Sequence, residues 1–280
     1  MQRILYDTHM HTPLCKHAEG EPEEYAEAAE RRGLKGIIVT CHNPVPGGWS
    51  ATVRMGEDEF DAYVGMVDRA RRAFAGRVDV RLGIESDYVP GFEPYLARFH
   101  ERAPFHYVLG SVHPQIKEYK EAYLRPDAEP QEYHRTYFQH LAMAAESGLF
   151  DALSHPDLVK NIFPSRWDPN LILDDIRRSL DRIAKTGVAM ELNTSGLNKA
   201  YGEMNPGRAI LAEMSARRIP VVVGSDSHVP ARVGDKFEEA FDILRDVGYS
   251  EVCFYLDRKP TSIIIADARA SLRPPPALLG

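Results

Sequence analysis

The sequence predicts an α/β fold in which βα units repeat about seven times around a closed barrel. Three observations carry that expectation. Strand-like runs alternate with stretches of helical composition, at least six of those runs end on a histidine or a carboxylate, and 280 residues at 44% hydrophobic content suffice for one barrel. An open doubly wound sheet has the same alternation, but it draws its ligands from a crevice where strand order reverses, so few strands contribute. In a βα barrel the C-terminal end of every strand faces one mouth. The spread of polar strand ends therefore favours the barrel, read as one domain over 1–270 with a proline-rich tail at 271–280.

Taken in order, the first strand (3–9) runs through Ile4-Leu5-Tyr6 into Asp7-Thr8-His9-Met10-His11, where period two lets His9 and His11 converge. The helix at 21–33 opens with Pro22 and acidic residues and closes on Gly33. A second strand (36–41) leads to His42 and then to Asn43-Pro44-Val45-Pro46-Gly47-Gly48-Trp49-Ser50, a loop long enough to fold over a barrel mouth. Trp49 and Arg54 are its candidate substrate contacts. Helices are expected over 57–75, 129–147, 169–186, 205–218 and 235–247. Between them, strands at 79–85, 106–112, 151–154, 187–193 and 220–225 bring Glu85, His113, His155, Glu191 and then Asp226 and His228 to their ends.

Composition narrows the function classes. A formal charge of -7 offers no basic face for tracking a phosphate backbone, so nucleic acid is not the expected partner. Met1-Gln2-Arg3-Ile4 passes into a strand with no signal-like segment, and no run is long enough to span a bilayer. A cytoplasmic protein with no membrane partner is expected. Cys15, Cys41 and Cys253 are too few for a disulfide framework, and Cys15 and Cys41 are read as packing beside the histidines rather than as ligands.

Seven of the eleven histidines lie at or just beyond strand-like runs: His9, His11, His17, His42, His113, His155 and His228. Neutral imidazole is the commonest metal ligand, and repeated placement at strand ends points to a multinuclear metal site. His100, His106, His134 and His140 end no apolar run and are read as surface or packing residues.

His9-x-His11 with His17, Thr40-x-His42, Gly83-Ile84-Glu85, Ser111-Val112-His113, Ser154-His155-Pro156-Asp157 and Asp226-Ser227-His228 together resemble the motifs of the PHP (polymerase and histidinol phosphatase) superfamily. Cys15-Lys16-His17 and Glu191-Leu192-Asn193-Thr194-Ser195-Gly196 are most similar to its histidinol-phosphate phosphatases. The resemblance implies a distorted seven-stranded, TIM-like (β/α)7 barrel with three divalent transition-metal ions (zinc, iron or manganese) at its mouth. By motif, His9, His11, Glu85 and Asp226 would hold one ion, Glu85, His113 and His155 a second, and His17, His42 and His228 a third. Glu85 would bridge the first two. Cys41 departs from the aspartate that many members carry before this histidine, which bears on tuning rather than on the ligand itself.

The activity implied is hydrolysis of a phosphate monoester, L-histidinol phosphate, in L-histidine biosynthesis. Clustered divalent ions suit a phosphate dianion, and a bridging hydroxide would attack phosphorus in line. Asp226 or His228 is expected to help protonate the departing alkoxide. Lys160, Arg166 and Lys199 are candidate phosphate clamps, Asn193 and Ser195 candidate substrate contacts, and Glu191 is expected to hydrogen-bond beside them. Glu57, Asp58 and Glu59, near the loop, favour a substrate with a cationic head. Two other readings are a PHP phosphoesterase acting on nucleotides or nucleic-acid ends, and a non-catalytic PHP interaction module. The full ligand set and the lack of a following polymerase domain argue against the module.

Overall fold

The computed structural model describes residues 3–274. Its centre is one nine-stranded sheet whose strands lie side by side in chain order, and the first eight run parallel. The strands are β1 (Tyr6–Asp7), β2 (Gly36–Val39), β3 (Asp79–Asp87), β4 (Tyr107–Ser111), β5 (Ala152–Leu153), β6 (Ala189–Asn193), β7 (Val221–Gly224), β8 (Glu251–Leu256) and β9 (Lys259–Ile264). The helices are α1 (Pro22–Arg32), α2 (Phe60–Ala73), α3 (Glu93–His100), α4 (Lys117–Tyr123), α5 (Pro130–Glu146), α6 (Leu173–Ala184), α7 (Arg208–Ala216), α8 (Phe237–Asp246) and α9 (Ile265–Ser271). Every predicted strand and helix is present. The α1 boundaries follow the expected chemistry, with Pro22 in the first turn and Gly33 in the left-handed conformation at φ 77.

Period two along the strands builds two cores. Ile37, Val39, Val108, Val221 and Val223 pack against the helices, whereas Ile38, Tyr107, Leu109, Ala152, Ala189 and Val222 pack on the opposite face. The sheet curls around that second face until Tyr6 of β1 stacks on Phe254 of β8, with ring centroids 4.5 Å apart. The same parity places Glu85 within β3 and Glu191 within β6, and carries His42, His113 and Asp226 beyond the ends of β2, β4 and β7, all on the side of the inner core. Beyond β1 the parity changes, so that Met10 joins the helix-side core while His9 and His11 face the cluster.

The sheet differs from the expected closed seven-stranded barrel by the added β8–β9 hairpin and by having no strand pairing between its edges, β1 and β9, among the described residues. The hairpin turn is Asp257-Arg258, both at positive φ, which lacks the Asn-Gly or Asp-Gly signature of a two-residue turn. Lys259-Pro260-Thr261-Ser262 in β9 is polar and exposed, so no apolar alternation marks it. The short helices α3, α4 and α9 were not expected either. Of the predicted tail, Ser271 ends α9, and residues 275–280 lie outside the described residues. No helix among the described residues is long and apolar enough to cross a membrane.

Candidate metal centre

Backbone pairing beyond the strands gathers the histidine-bearing ends. The His11 amide donates to the Ser227 carbonyl at 2.9 Å and the Ser227 amide to the His9 carbonyl at 3.1 Å, which joins the segment after β1 to the one after β7. His42 pairs with Glu85 in a parallel bridge, and the Asn43 amide donates to the Glu85 carbonyl at 2.9 Å. His155 and Asp226 adopt φ 28 and 48, strained values for residues with a Cβ. Both sit where the chain turns off a strand and must aim a side chain back at its neighbours.

Glu85, buried at the centre, divides its two oxygens between two groups. Its Oε2 lies 3.5 Å from His9 Nε2 and 3.6 Å from His11 Nε2, and Asp226 Oδ1 is 3.7 and 3.2 Å from the same two nitrogens. Its Oε1 lies 3.4 Å from His113 Nε2 and 3.1 Å from His155 Nε2. His17, His42 and His228 form a third group with ligand atoms within 4.8 Å of one another. His42 also turns Nδ1 to Glu85 Oε2 at 2.8 Å. Neither of those two atoms has a hydrogen-bond partner, although both are buried, and His11 Nδ1 is likewise orphaned. Buried polar atoms left in this state are costly. Nitrogen and carboxylate donors converging in this way fit divalent transition ions.

The outer partners complete the arrangement and include residues that the sequence reading missed. Glu191 Oε1 meets His9 Nδ1 at 2.7 Å, while its Oε2 accepts from the His155 amide at 3.0 Å and Asn193 Nδ2 at 2.9 Å. Asp87 Oδ1 meets His113 Nδ1 at 2.8 Å. In each case a carboxylate fixes the ring and leaves Nε2 facing the cluster. Backbone carbonyls do the same for His17, through Cys15, and for His228, through Asp226. Asp87 follows Glu85 by two residues in one strand, and that spacing was the available signal.

Gly224 is required by this packing. A Cβ there would lie 2.0 Å from Glu191 Oε1 and 2.7 Å from the His9 Cβ. Gly224→Ala is expected to cost about 1–3 kcal/mol of stability through overpacking. It should also weaken metal binding by displacing Glu191 from His9. Urea unfolding and metal content of the variant check both effects, and wild-type values in each would show that the packing tolerates the methyl group.

The electrostatics split the histidines of the metal-free protein into two kinds. Burial lowers His42 to about 4 and His228 to about 2, helped by the neighbouring His11. Burial also acts to lower His11 and His113, but Asp226 and Glu85 around His11, and Asp87 and Glu85 around His113, outweigh it and raise both to about 9. Burial would raise the Glu85 carboxyl, yet His42, His9 and His113 hold it well below the usual range. Cys15 and Cys41 are buried free thiols beside these rings, with Thr12 Oγ1 donating to Cys41 Sγ at 3.2 Å.

A family model described as PHP domain matches residues 7–195, well over half of the chain. The chain belongs to the PHP domain family. A probable histidinol-phosphatase of Deinococcus radiodurans is 38% identical over 260 residues, covering 89% of this chain and 96% of that protein. The histidinol-phosphatase of Bacillus subtilis is 26% identical over 261 residues, covering 83% and 96%. In fold, the PHP domain is similar to the crystal structure of histidinol phosphate phosphatase from Lactococcus lactis complexed with zinc, L-histidinol and phosphate. The TM-score is 0.77 at 19% identity, covering 92% of this chain and 98% of that one.

Beside the cluster of this PHP domain lie two cavities. One, of about 250 Å³, is walled by seven of the cluster's side chains together with Gln115, Leu158 and Lys199. Lys199 Nζ is 3.4 Å from Asp226 Oδ2 and is the cation on that wall among the described residues. The other, of about 450 Å³, extends from His17, His42 and His113 to the loop residues Gly48 and Ser50–Arg54 and to Gln115–Glu118. Trp49 is not in its wall but packs edge-on against Phe92, with centroids 5.3 Å apart. The acidic run is not there either, since Glu57 pairs with Arg102 and Glu59 with Lys16. Glu118 is the carboxylate on that wall.

Several expected substrate contacts point elsewhere. Lys160, at 0% exposure, turns inward to Asp157 at 3.1 Å, Glu203 at 3.2 Å and the Met204 carbonyl at 2.7 Å. A buried carboxylate such as Asp157 needs a countercharge, and that demand captures the lysine. Arg166 is exposed and paired with Glu129. Asn193 is buried on Glu191, and Ser195 is buried with its amide donating to Asn193 Oδ1 at 3.0 Å, so neither lines a cavity at the cluster. Arg54 reaches the cavity wall, but its guanidinium binds Asp87 and Asn43.

Proposed function

We infer that this chain is a metal-dependent phosphoric monoester hydrolase that converts L-histidinol phosphate to L-histidinol and phosphate in L-histidine biosynthesis. The observation that carries the reading is Glu85 shared between two groups of histidines, directly beside a cavity large enough for a small substrate. The curated relatives' names and the products bound in the similar Lactococcus lactis structure supply the substrate. We read three ions here: one at His9, His11 and Asp226 with Glu85 facing them, a second between Glu85, His113 and His155, and a third at His17, His42 and His228. When bound, such ions would supply an activated water and neutralise charge on phosphate oxygens. We read β1 to β7 as the distorted barrel around that site, with β8 and β9 added at one side, on the strength of the Met10–Ser227 bridge between the ends of β1 and β7.

The side chains then take separate tasks. Lys199 stands where it can donate to a phosphate oxygen, with Asp226 holding its ammonium group. Asp226 and His228, the groups expected to help protonate the leaving alkoxide, stand together at the cluster with Lys199 beside Asp226. In the larger cavity, Glu118 takes the Ser50 amide on Oε1 at 3.0 Å and presents a carboxylate to a cationic head. Remote binding energy used there would orient the phosphate.

The test compares kcat/KM for L-histidinol phosphate, an aryl phosphate, nucleoside monophosphates and a short DNA with a terminal phosphate. Histidinol phosphate is expected to lead by a factor of at least about 100, the range of one charged hydrogen bond. Glu118→Gln should raise its KM by about 10-fold and leave the aryl phosphate unaffected. Equal turnover of all the monoesters would make the protein a broad phosphatase. Preference for DNA ends would overturn the biosynthetic reading.

A further inference from the structure

Loop 43–54 walls the larger cavity, and its last residue turns away from the substrate space. Arg54 is 2% exposed. Its Nη1 donates to the Asn43 carbonyl at 2.9 Å and its Nη2 to Asp87 Oδ2. Asn43 closes the circuit, because its Oδ1 accepts from the Asp87 amide at 3.0 Å. The other oxygen of Asp87 meets His113 Nδ1 at 2.8 Å, and His113 Nε2 faces Glu85 Oε1 at 3.4 Å. A buried ion pair such as Arg54–Asp87 adds little net stability, since desolvation offsets most of the attraction. Packing alone would be served as well by apolar groups of similar volume. What a planar guanidinium fork adds is a fixed direction for the carboxylate.

We propose that Arg54 is a positioning residue that couples the cavity loop to the metal centre by holding Asp87 against His113. The inference rests on the metal-centre reading above and goes beyond it, assigning Arg54 to a metal ligand rather than to substrate. The ring of His113 keeps Nε2 on the cluster while Asp87 holds Nδ1, and Asp87 keeps its rotamer while Arg54 holds its carboxylate, with Asn43 fixing the Asp87 amide and Arg54 itself. Movement of the loop would therefore reach the ligand through one shared carboxylate.

Zinc and cobalt isotherms of chelator-stripped protein test this without substrate. Arg54→Met and Asp87→Asn are each expected to weaken one class of ions by about 10–100-fold, the usual effect of losing a ligand's outer partner, with the other classes unchanged. The kcat should fall with that affinity while KM for histidinol phosphate stays within about 2-fold, as expected when only orientation is lost. Arg54→Lys should restore part of both, and the double variant should be no worse than the worse single one. Thermal melts verify folding. Should Arg54→Met unfold, Asp87→Asn and Arg54→Lys carry the test. Isotherms that overlay the wild type, with a raised KM, would overturn the proposal and make Arg54 a cavity residue. A wild type that binds no ions would instead overturn the metal-centre reading, and this inference with it.

Discussion

Glu85→Gln is expected to lower kcat by at least about 1000-fold, the upper end of what removing one electrostatic stabiliser costs. The substitution keeps the volume and the acceptor that Ser111 Oγ reaches at 2.6 Å, so the fold should persist. It places an uncharged amide where Oε2 now lies 3.5 and 3.6 Å from His9 and His11 Nε2. One end of the shared carboxylate is thereby lost, and with it half the negative charge that Glu85 and Asp226 bring to the donor set. Steady-state kinetics at matched metal content, with a melting temperature near that of the wild type, make the measurement. Substantial activity in that variant would show that Glu85 does not serve two ions.

Removal of the metals is expected to abolish turnover, and reloading to restore it with more than one transition-metal equivalent per chain. Because the folded state alone holds the donor cluster, stripping should also destabilise the protein, by about 4 kcal/mol where free metal had been at 1,000 times Kd. The pH dependence of reloading has a definite sign. His11 and His113 titrate at about 9 without metal, so near neutrality they carry protons that an incoming ion must displace. Affinity should therefore rise with pH through neutrality and fall in acid, with protons released on loading from His11, His113 and His9, which despite its burial Glu191, Asp226 and Glu85 likewise hold well above the ordinary imidazole value. His42 at about 4 and His228 at about 2 already present free nitrogens and should add nothing to the release. Metal titration in weak buffer with a pH indicator reads this directly. Full activity in a chelator, or at a single equivalent, would sink the multinuclear reading.

Most of the cluster was legible because strand parity is local. Once Tyr107 and Leu109 are read as inward-facing, Ser111 and His113 follow on the same side, and the same step leads from Val222 to Asp226. Helix ends were legible for the same reason, as at Pro22 and Gly33. The cations were not. Lys160, Arg166 and Lys199 all occupy loops after strands, yet one is buried on Asp157, one is exposed on Glu129 and one reaches Asp226. Asp157, three residues before Lys160, was a local signal for the first, but the partners of Arg166 and Lys199 lie 37 and 27 residues away and depend on which carboxylate the fold brings near. The β8–β9 hairpin escaped notice because a polar edge strand carries no apolar alternation.

By itself the sequence determined the α/β alternation, the order in which donors arrive at strand ends and the residue types that face the cluster. Those properties depend on neighbours two to four positions away and on period two. Only the tertiary structure decided which donors share an ion-sized space and what holds them there. His9 and Glu191 are 182 residues apart and meet at 2.7 Å, and Arg54 reaches Asp87 across 33 residues of chain. Such pairs are selected by the desolvation cost of leaving a buried charge or imidazole unpartnered, and that cost exists only once the chain has closed around them.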